Sequence, residues 1–143
     1  MSVSNSEQYL FEPIPVLEQA VPFVEKLKEN YDVATTAINL GQQTKASFEA
    51  IQNPETHSAI GAIGQYLNWK QLVESVKGLK EKIGNYYQIK IDGKRLRFTY
   101  DNTIKHLEYR LQRVKEGLIG LKMIYKEKLG QLSGSIAEYM ALS

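Results

Sequence analysis

Between Tyr86 and Tyr100 the spacing of apolar residues drops from three or four to two, and this switch constrains the fold more than any other feature of the chain. In YYQIKIDGKRLRFTY, Asp92-Gly93 suits the two central positions of a type I′ turn, which need a left-handed backbone that Gly adopts freely and Asp tolerates. Once the turn is fixed, Ile91 faces Lys94, Ile89 faces Leu96 and Tyr87 faces Phe98, so the apolar side chains share one side. The other side receives Lys90 with Arg95, Gln88 with Arg97 and Tyr86 with Thr99. A β-hairpin over 86–100 is predicted. A lone two-stranded hairpin is marginal in water, so its apolar side must lie on something.

The hairpin also carries a charge problem. Lys90, Lys94, Arg95 and Arg97 crowd its tip, and Lys90 and Arg95 face each other across the strands, which destabilises a sheet unless an anion is near. These four are the predicted site for an anionic partner, either the acidic part of another subunit or phosphate.

On both sides of the hairpin the apolar spacing is helical. Pro22 fits a first helical turn and is followed by Val24, Leu27, Tyr31, Ala34 and Ile38, which predicts a first helix over about 17–51, with Gly41 marking a bend or a close crossing. Asn53 before Pro54 is pushed out of helical geometry and ends it. A second helix is predicted over about 55–83, with Ile60, Ile63, Leu67, Trp69, Leu72, Val73, Val76, Leu79 and Ile83 as its buried stripe and Gly61 and Gly64 allowing a tight helix crossing. GAIG is apolar and helical here, unlike the basic GxxG loop that clamps nucleic acid.

The third helix is predicted over 101–142, capped by Asp101 or Thr103. In heptads, position a holds Ile104, Leu111, Leu118, Tyr125, Leu132 and Tyr139, and position d holds Leu107, Val114, Leu121, Lys128, Ser135 and Leu142; ten of the twelve are apolar. That is a coiled-coil seam, broadened by Ile124, Leu129 and Ile136. Ile104, Leu107, Leu111, Val114, Leu118, Leu121, Tyr125, Leu132 and Tyr139 are the predicted self-association residues. About forty helical residues span about 60 Å, whereas a compact domain of this length is about 37 Å across. A continuous third helix therefore demands a rod. Gly117, Gly120, Gly130 and Gly134 are the places where it could break, LGQLSGS foremost.

Residues 1–16 read as an extended N-terminal arm, because Pro13, Pro15 and Pro22 oppose a regular helix through Pro15. Tyr9, Leu10, Phe11 and Ile14 make the arm too apolar to stay solvated, so it is expected to dock on its own chain or a neighbour. The rest, 17–143, is predicted to be a single helical domain. The expected fold class is mainly α: an elongated helical bundle or coiled-coil rod of three long helices with one β-hairpin insert and an extended N-terminal arm.

At 143 residues the chain is long enough to bury a core unaided, and having no cysteine it forms no disulfide, thiolate metal site or thiol nucleophile. The net charge of +2 conceals a division: residues 1–76 hold 4 Lys against 9 acids, net −5, and residues 77–143 hold 14 Lys or Arg against 7 acids, net +7. The halves should attract, within one chain or between stacked subunits. The N-terminal stretch lacks the charge and apolar run of a signal peptide, and no apolar run is long enough to span a bilayer, which implies a cytoplasmic protein or one inside an assembled particle.

Catalytic patterns are absent from the sequence. His57 and His106 stand in no metal-ligand spacing, no phosphate loop or nucleophile elbow occurs, and the acids alternate with lysines on helical faces. No catalytic, cofactor-binding or metal-ligating residue is predicted, and no cofactor. The expected role is a non-enzymatic structural or assembly protein that self-associates through its long amphipathic helices, as in a virion, pilus or secretion apparatus. One alternative is nonspecific nucleic-acid binding by the hairpin with Tyr86 and by Lys105, Arg110, Arg113, Lys115, Lys122, Lys126 and Lys128, although Glu108, Glu116 and Glu127 interrupt that row. Another is association with a membrane surface, suggested by SAIGAIG and the basic amphipathic half but disfavoured because helix partners satisfy the stripes better.

Overall fold

The computed structural model describes residues 13–30, 32–53, 57–132 and 136–143, with only the backbone at 28–30. Pro15 opens helix α1 (Pro15–Ala20) at its first turn, where a missing N–H costs nothing, so the first helix begins two residues earlier than its predicted start at about 17. Ile14, just before it, is buried. A 3₁₀ turn over Val21–Phe23 accommodates Pro22, and α2 (Val24–Asn30) and α3 (Asp32–Gln52) follow. The single helix predicted over 17–51 is thus divided. Pro22 cannot donate the helical bond to residue 18 and its ring crowds that carbonyl, so the chain tightens there. Gly41 marks a close crossing: a Cβ there would stand 2.7 Å from Leu17 Cδ1 of α1.

Helix α4 (Ala59–Ile83) is capped by Ser58, whose hydroxyl accepts from the Gly61 N–H at 2.9 Å, and it ends at Gly84, which has φ 57°. Its buried side is Ala59, Ala62, Tyr66, Leu72, Val76, Leu79 and Ile83. The predicted stripe fails in the first half of the helix: Ile60 is 79% exposed, Leu67 is 42% exposed, and Gly64 faces open space rather than a crossing helix. Leu67 and Trp69 are two residues apart and cannot share a helical face. Running back from Ile83 in steps of three and four reaches Tyr66 and Ala62.

Strands β1 (Tyr87–Ile91) and β2 (Lys94–Phe98) pair antiparallel in the predicted register, Tyr87 with Phe98 through Ile91 with Lys94. Asp92 and Gly93 have φ of 49° and 80°, as the type I′ turn requires. Ile89, Ile91, Leu96 and Phe98 are buried in a core with Ile14, Leu17, Leu27, Leu79, Ile83, Ile104 and Leu107. The hairpin is in the fold because it closes one end of the helical bundle. After it, Thr99 rather than Asp101 or Thr103 supplies the cap: its hydroxyl accepts from the Asn102 N–H while its own N–H donates to Asn102 Oδ1. A π-helical turn (Tyr100–Ile104) leads into α5 (Lys105–Ile124).

The third predicted helix does not run to residue 142. Tyr125 leaves helical geometry (φ −103°, ψ 23°), and two short helices follow, α6 (Lys126–Gly130) and α7 (Ile136–Met140). Tyr139 comes back beside α5: its hydroxyl donates to the Leu118 carbonyl at 2.6 Å, and its ring stacks on Tyr66 of α4 with centroids 5.0 Å apart. Lys122 Nζ donates to the carbonyls of Met140 and Leu142. An unbroken helix would hold Leu118 and Tyr139 about 32 Å apart. Folding back lets Ile136 and Tyr139 complete a second core with Phe48, Ile51, Leu118 and Leu121 at the other end of the bundle. Trp69 packs against both cores, its Nε1–H donating to the Leu111 carbonyl at 2.9 Å.

The protein is mainly helical, with one two-stranded antiparallel hairpin. Among the described residues the longest uninterrupted helix, α4, spans about 38 Å, close to the about 37 Å diameter of a compact domain of this size. The length argument for a rod therefore lapses.

Candidate functional site

With its apolar side spent on the core, the hairpin turns Lys90, Lys94, Arg95 and Arg97 to solvent, all four exposed. The structure brings together what the register implied. The Arg97 guanidinium lies over the ring of exposed Tyr86, 4.2 Å from its centroid, and Asn102 Nδ2 donates to the Arg97 carbonyl at 2.8 Å, fixing that end of the strand. At the tip Asp92 forms an ion pair with Lys26 of α2. The side chains of Lys94 and Arg95 make no ion pair or hydrogen bond among the described residues. The Tyr86–Arg97 contact could have been read from the sequence, since the two are diagonal neighbours on the outward side of the predicted register. The Lys26–Asp92 pair could not, because it depends on where α2 lies.

Among the described residues, ion pairs between the two halves run in both senses. Glu18, Glu25, Asp32 and Glu49 are exposed and make no ion pair among the described residues. Lys26–Asp92 and Lys70–Glu138 do bridge the halves, but in the reverse sense, with the base from the acidic half and the acid from the basic half. The local Glu74–Lys77 pair on α4 has the expected sense, at 3.5 Å and between exposed side chains. Lys70, through its hydrogen bond and charge, holds the Glu138 carboxyl below its ordinary value.

The predicted self-association seam is used up inside the chain. Ile104, Leu107, Leu111, Val114, Leu118, Leu121 and Tyr139 are buried, Tyr125 is half-buried with its hydroxyl donating to the His57 carbonyl, and Leu132 alone of the nine is exposed. This face packs on α3, α4 and α7 within the chain. Of the predicted arm contacts, Ile14 is in the first core, while Tyr9, Leu10 and Phe11 lie outside the described residues.

Nor do the α5 cations form one basic row. Arg110 is 4% exposed and donates to the Gly41 carbonyl at 2.8 Å, Arg113 pairs with Glu116 at 3.2 Å, and Lys122 holds the C-terminal carbonyls. His57 Nε2 lies 3.2 Å from the Ile51 carbonyl, and His106 borders a shallow groove between α1 and the π-turn with Gln19, Arg97, Asp101 and Asn102. Among the described residues, no three His, Asp or Glu side chains converge as metal ligands would, and no helix is long and apolar enough to cross a membrane. No protein-family model, no curated protein and no solved structure matches this chain.

Proposed function

We propose that this chain is a non-enzymatic assembly subunit in which the outward cations of one copy's hairpin meet the outward acids of another copy's first half. The supporting observation is the segregation of charge: Lys94 and Arg95 on the hairpin, and Glu18, Glu25, Asp32 and Glu49 on α1 to α3, face solvent with no ion pair among the described residues. Two different complementary surfaces on one chain make a heterologous contact, which closes into a ring or propagates as a filament. Any extended shape then belongs to the assembly, as in a virion, pilus or secretion apparatus, and not to a long third helix.

Charge-driven association weakens as salt shortens the Debye length from about 10 Å at 0.1 M to about 3 Å at 1 M. Light scattering at low and high salt tests this. The variants Lys94→Glu/Arg95→Glu and Glu18→Lys/Glu25→Lys should each fail to associate, and an equimolar mixture of the two should associate again. A wild-type chain that stays a 16.3 kDa monomer in low salt at high concentration sinks the reading.

The Arg97–Tyr86 stack favours a second reading, nonspecific binding of single-stranded nucleic acid, because an exposed ring beside cations offers a base a stacking surface. Fluorescence anisotropy with a labelled oligonucleotide, comparing wild type with Tyr86→Ala, decides it. An effect is expected only if bases stack there.

A further inference from the structure

Helices α4 and α5 leave an open slot between them, lined by Trp69, Val73 and Lys77 from α4 and by Glu108, Gln112 and Lys115 from α5. These residues lie three or four apart on each helix, so the slot runs along both axes for about 12 Å. It encloses about 260 Å³, and an apolar cavity of about 150 Å³ already takes benzene. Val76 and Leu111 are buried and only close the floor, whereas the walls, Trp69 and Val73, are half-buried and open to a ligand. The indole is also held in place, since its Nε1–H donates to the Leu111 carbonyl at 2.9 Å, so packing against it orders no further side chain. The charges of the slot are unequally answered. The Glu108 carboxylate lies 3.9 Å from Lys80 and accepts a hydrogen bond from the Tyr100 hydroxyl, and Lys77 pairs with Glu74 at 3.5 Å. Lys115, about 10 Å along α5 from Glu108, is half-buried and makes no ion pair among the described residues.

We infer that the slot binds a medium-chain monocarboxylate, with the alkyl chain along Trp69 and Val73 and the carboxylate on the Lys115 ammonium. Charge and shape select this occupant. The Lys115 end attracts an anion, while Glu108 at the far end opposes a second negative charge, so the ligand carries one carboxylate and ends in an uncharged methyl. An extended chain advances about 1.2 Å per bond, so a slot of about 12 Å takes about eight carbons together with the carboxylate. A fully buried methylene is worth about fourfold in affinity. An open slot covers one side of the chain, which makes the expected gain about twofold per methylene.

Trp69 is the chain's one tryptophan, so its emission reports on the slot directly. The full-length protein is titrated with butanoate, hexanoate and octanoate while far-UV circular dichroism follows the helices. The emission should change saturably at constant helical signal, with the midpoint tightening about fourfold at each two-carbon step. Hexan-1-ol, which cannot make the charge-assisted bond to Lys115, should bind about tenfold more weakly than hexanoate. Lys115→Gln should reduce hexanoate to the level of the alcohol and leave the alcohol unchanged. Gln112→Glu, at an exposed position one turn from Lys115, should do the same by setting a carboxylate beside the ammonium. Hexanoate and hexan-1-ol binding alike to the wild type, an emission change that comes with loss of helix, or no saturable change with octanoate overturns the assignment. So does a midpoint that moves with protein concentration, which would place a second copy in the slot. Association through the hairpin can fail without touching this result, because the slot uses neither the hairpin cations nor the acids of α1 to α3.

Discussion

Tyr139 carries the fold-back of the C-terminus, so truncating it tests the architecture directly. The side chain is 0% exposed, its ring stacks on Tyr66 at 5.0 Å, and its hydroxyl bonds the Leu118 carbonyl at 2.6 Å. Replacing a buried aromatic by alanine costs about 3–5 kcal/mol. Because α7 is a five-residue helix that can collapse inward, the lower figure, about 3 kcal/mol, is the appropriate one for Tyr139→Ala. Tyr139→Phe keeps the packing and loses one neutral hydrogen bond, a cost of about 1 kcal/mol. The lone tryptophan is a built-in probe, since Trp69 lies 6.0 Å from Tyr66 and touches both cores. In a urea titration with a slope of about 1.5 kcal/mol/M, Tyr139→Ala should lower the midpoint by about 2 M and Tyr139→Phe by about 0.7 M, with circular dichroism giving coincident curves. Were the helix to continue outward from Tyr125, Tyr139 would be a surface residue and its truncation would stay within about 0.5 kcal/mol. A Tyr139→Ala shift under about 0.3 M refutes the fold-back. The same residue sets an alkaline limit: burial pushes its hydroxyl from 10.0 up to about 12. A raised phenol stabilises the fold fully below pH 10 and loses that contribution as pH climbs through about 12. Tyr139→Phe should flatten the decline over that window.

The remaining predictions concern the turn, one helix face and one ion pair. Gly93→Ala forces a Cβ onto φ 80° and should cost about 1–2 kcal/mol, read as a lower thermal midpoint. Gly64→Ala, in mid-helix with nothing within 4 Å of the new methyl, should stabilise by about 0.5–1 kcal/mol in urea; a loss would mean that the residue is a helix crossing after all. Lys70→Ala should leave the urea midpoint unchanged, because the pair is exposed. It should also raise the Glu138 titration toward the ordinary carboxylate value, followed by carboxyl-carbon NMR.

The hairpin was fully legible because its constraint is local: a two-residue turn with φ above zero at both positions admits one register, and period two then assigns every side chain to a side. The second half of α4 was legible as well, since Leu72, Val76, Leu79 and Ile83 keep a strict three-four spacing. What the heptads conveyed was burial, not continuity. Ile104 through Leu121 are buried as their positions implied, yet Tyr139, at an a position, is buried by returning to α5 and not by extending it. A one-dimensional pattern scores both alike. The predicted helix is interrupted twice: Tyr125 leaves helical geometry with no Gly or Pro to announce it, its side chain reaching the His57 carbonyl on the segment before α4, and α6 stops at Gly130, inside the LGQLSGS stretch where the sequence expected a break. The outward Lys90, Arg95 and Arg97 were legible from alternation, whereas Lys94 shares the register position of Ile91 and is exposed at the turn end of the strand. The lack of ion pairs at Lys94 and Arg95 among the described residues was not, because it depends on where α1 to α3 carry their acids.

The hairpin closes the core with its inner face, and that job makes no demand on its outer one. A hairpin tuned for stability alone would place opposite charges across the strands, each such pair contributing about 0.2–1 kcal/mol. This one opposes Lys90 to Arg95, and Arg95 makes no ion pair among the described residues. Like charges directly opposite each other are unfavourable unless an anionic group is near, and on the proposed reading the acids of another copy supply one at Arg95. Arg95→Glu separates the two effects because it moves them in opposite directions. Turning the opposed pair into an attractive one should stabilise the isolated chain by about 0.2–1 kcal/mol in urea at low protein concentration, while the same change weakens association in light scattering at low salt. If the variant lost stability, or gained it with association intact, the outer face would be neither strained by its like charges nor the surface through which copies meet.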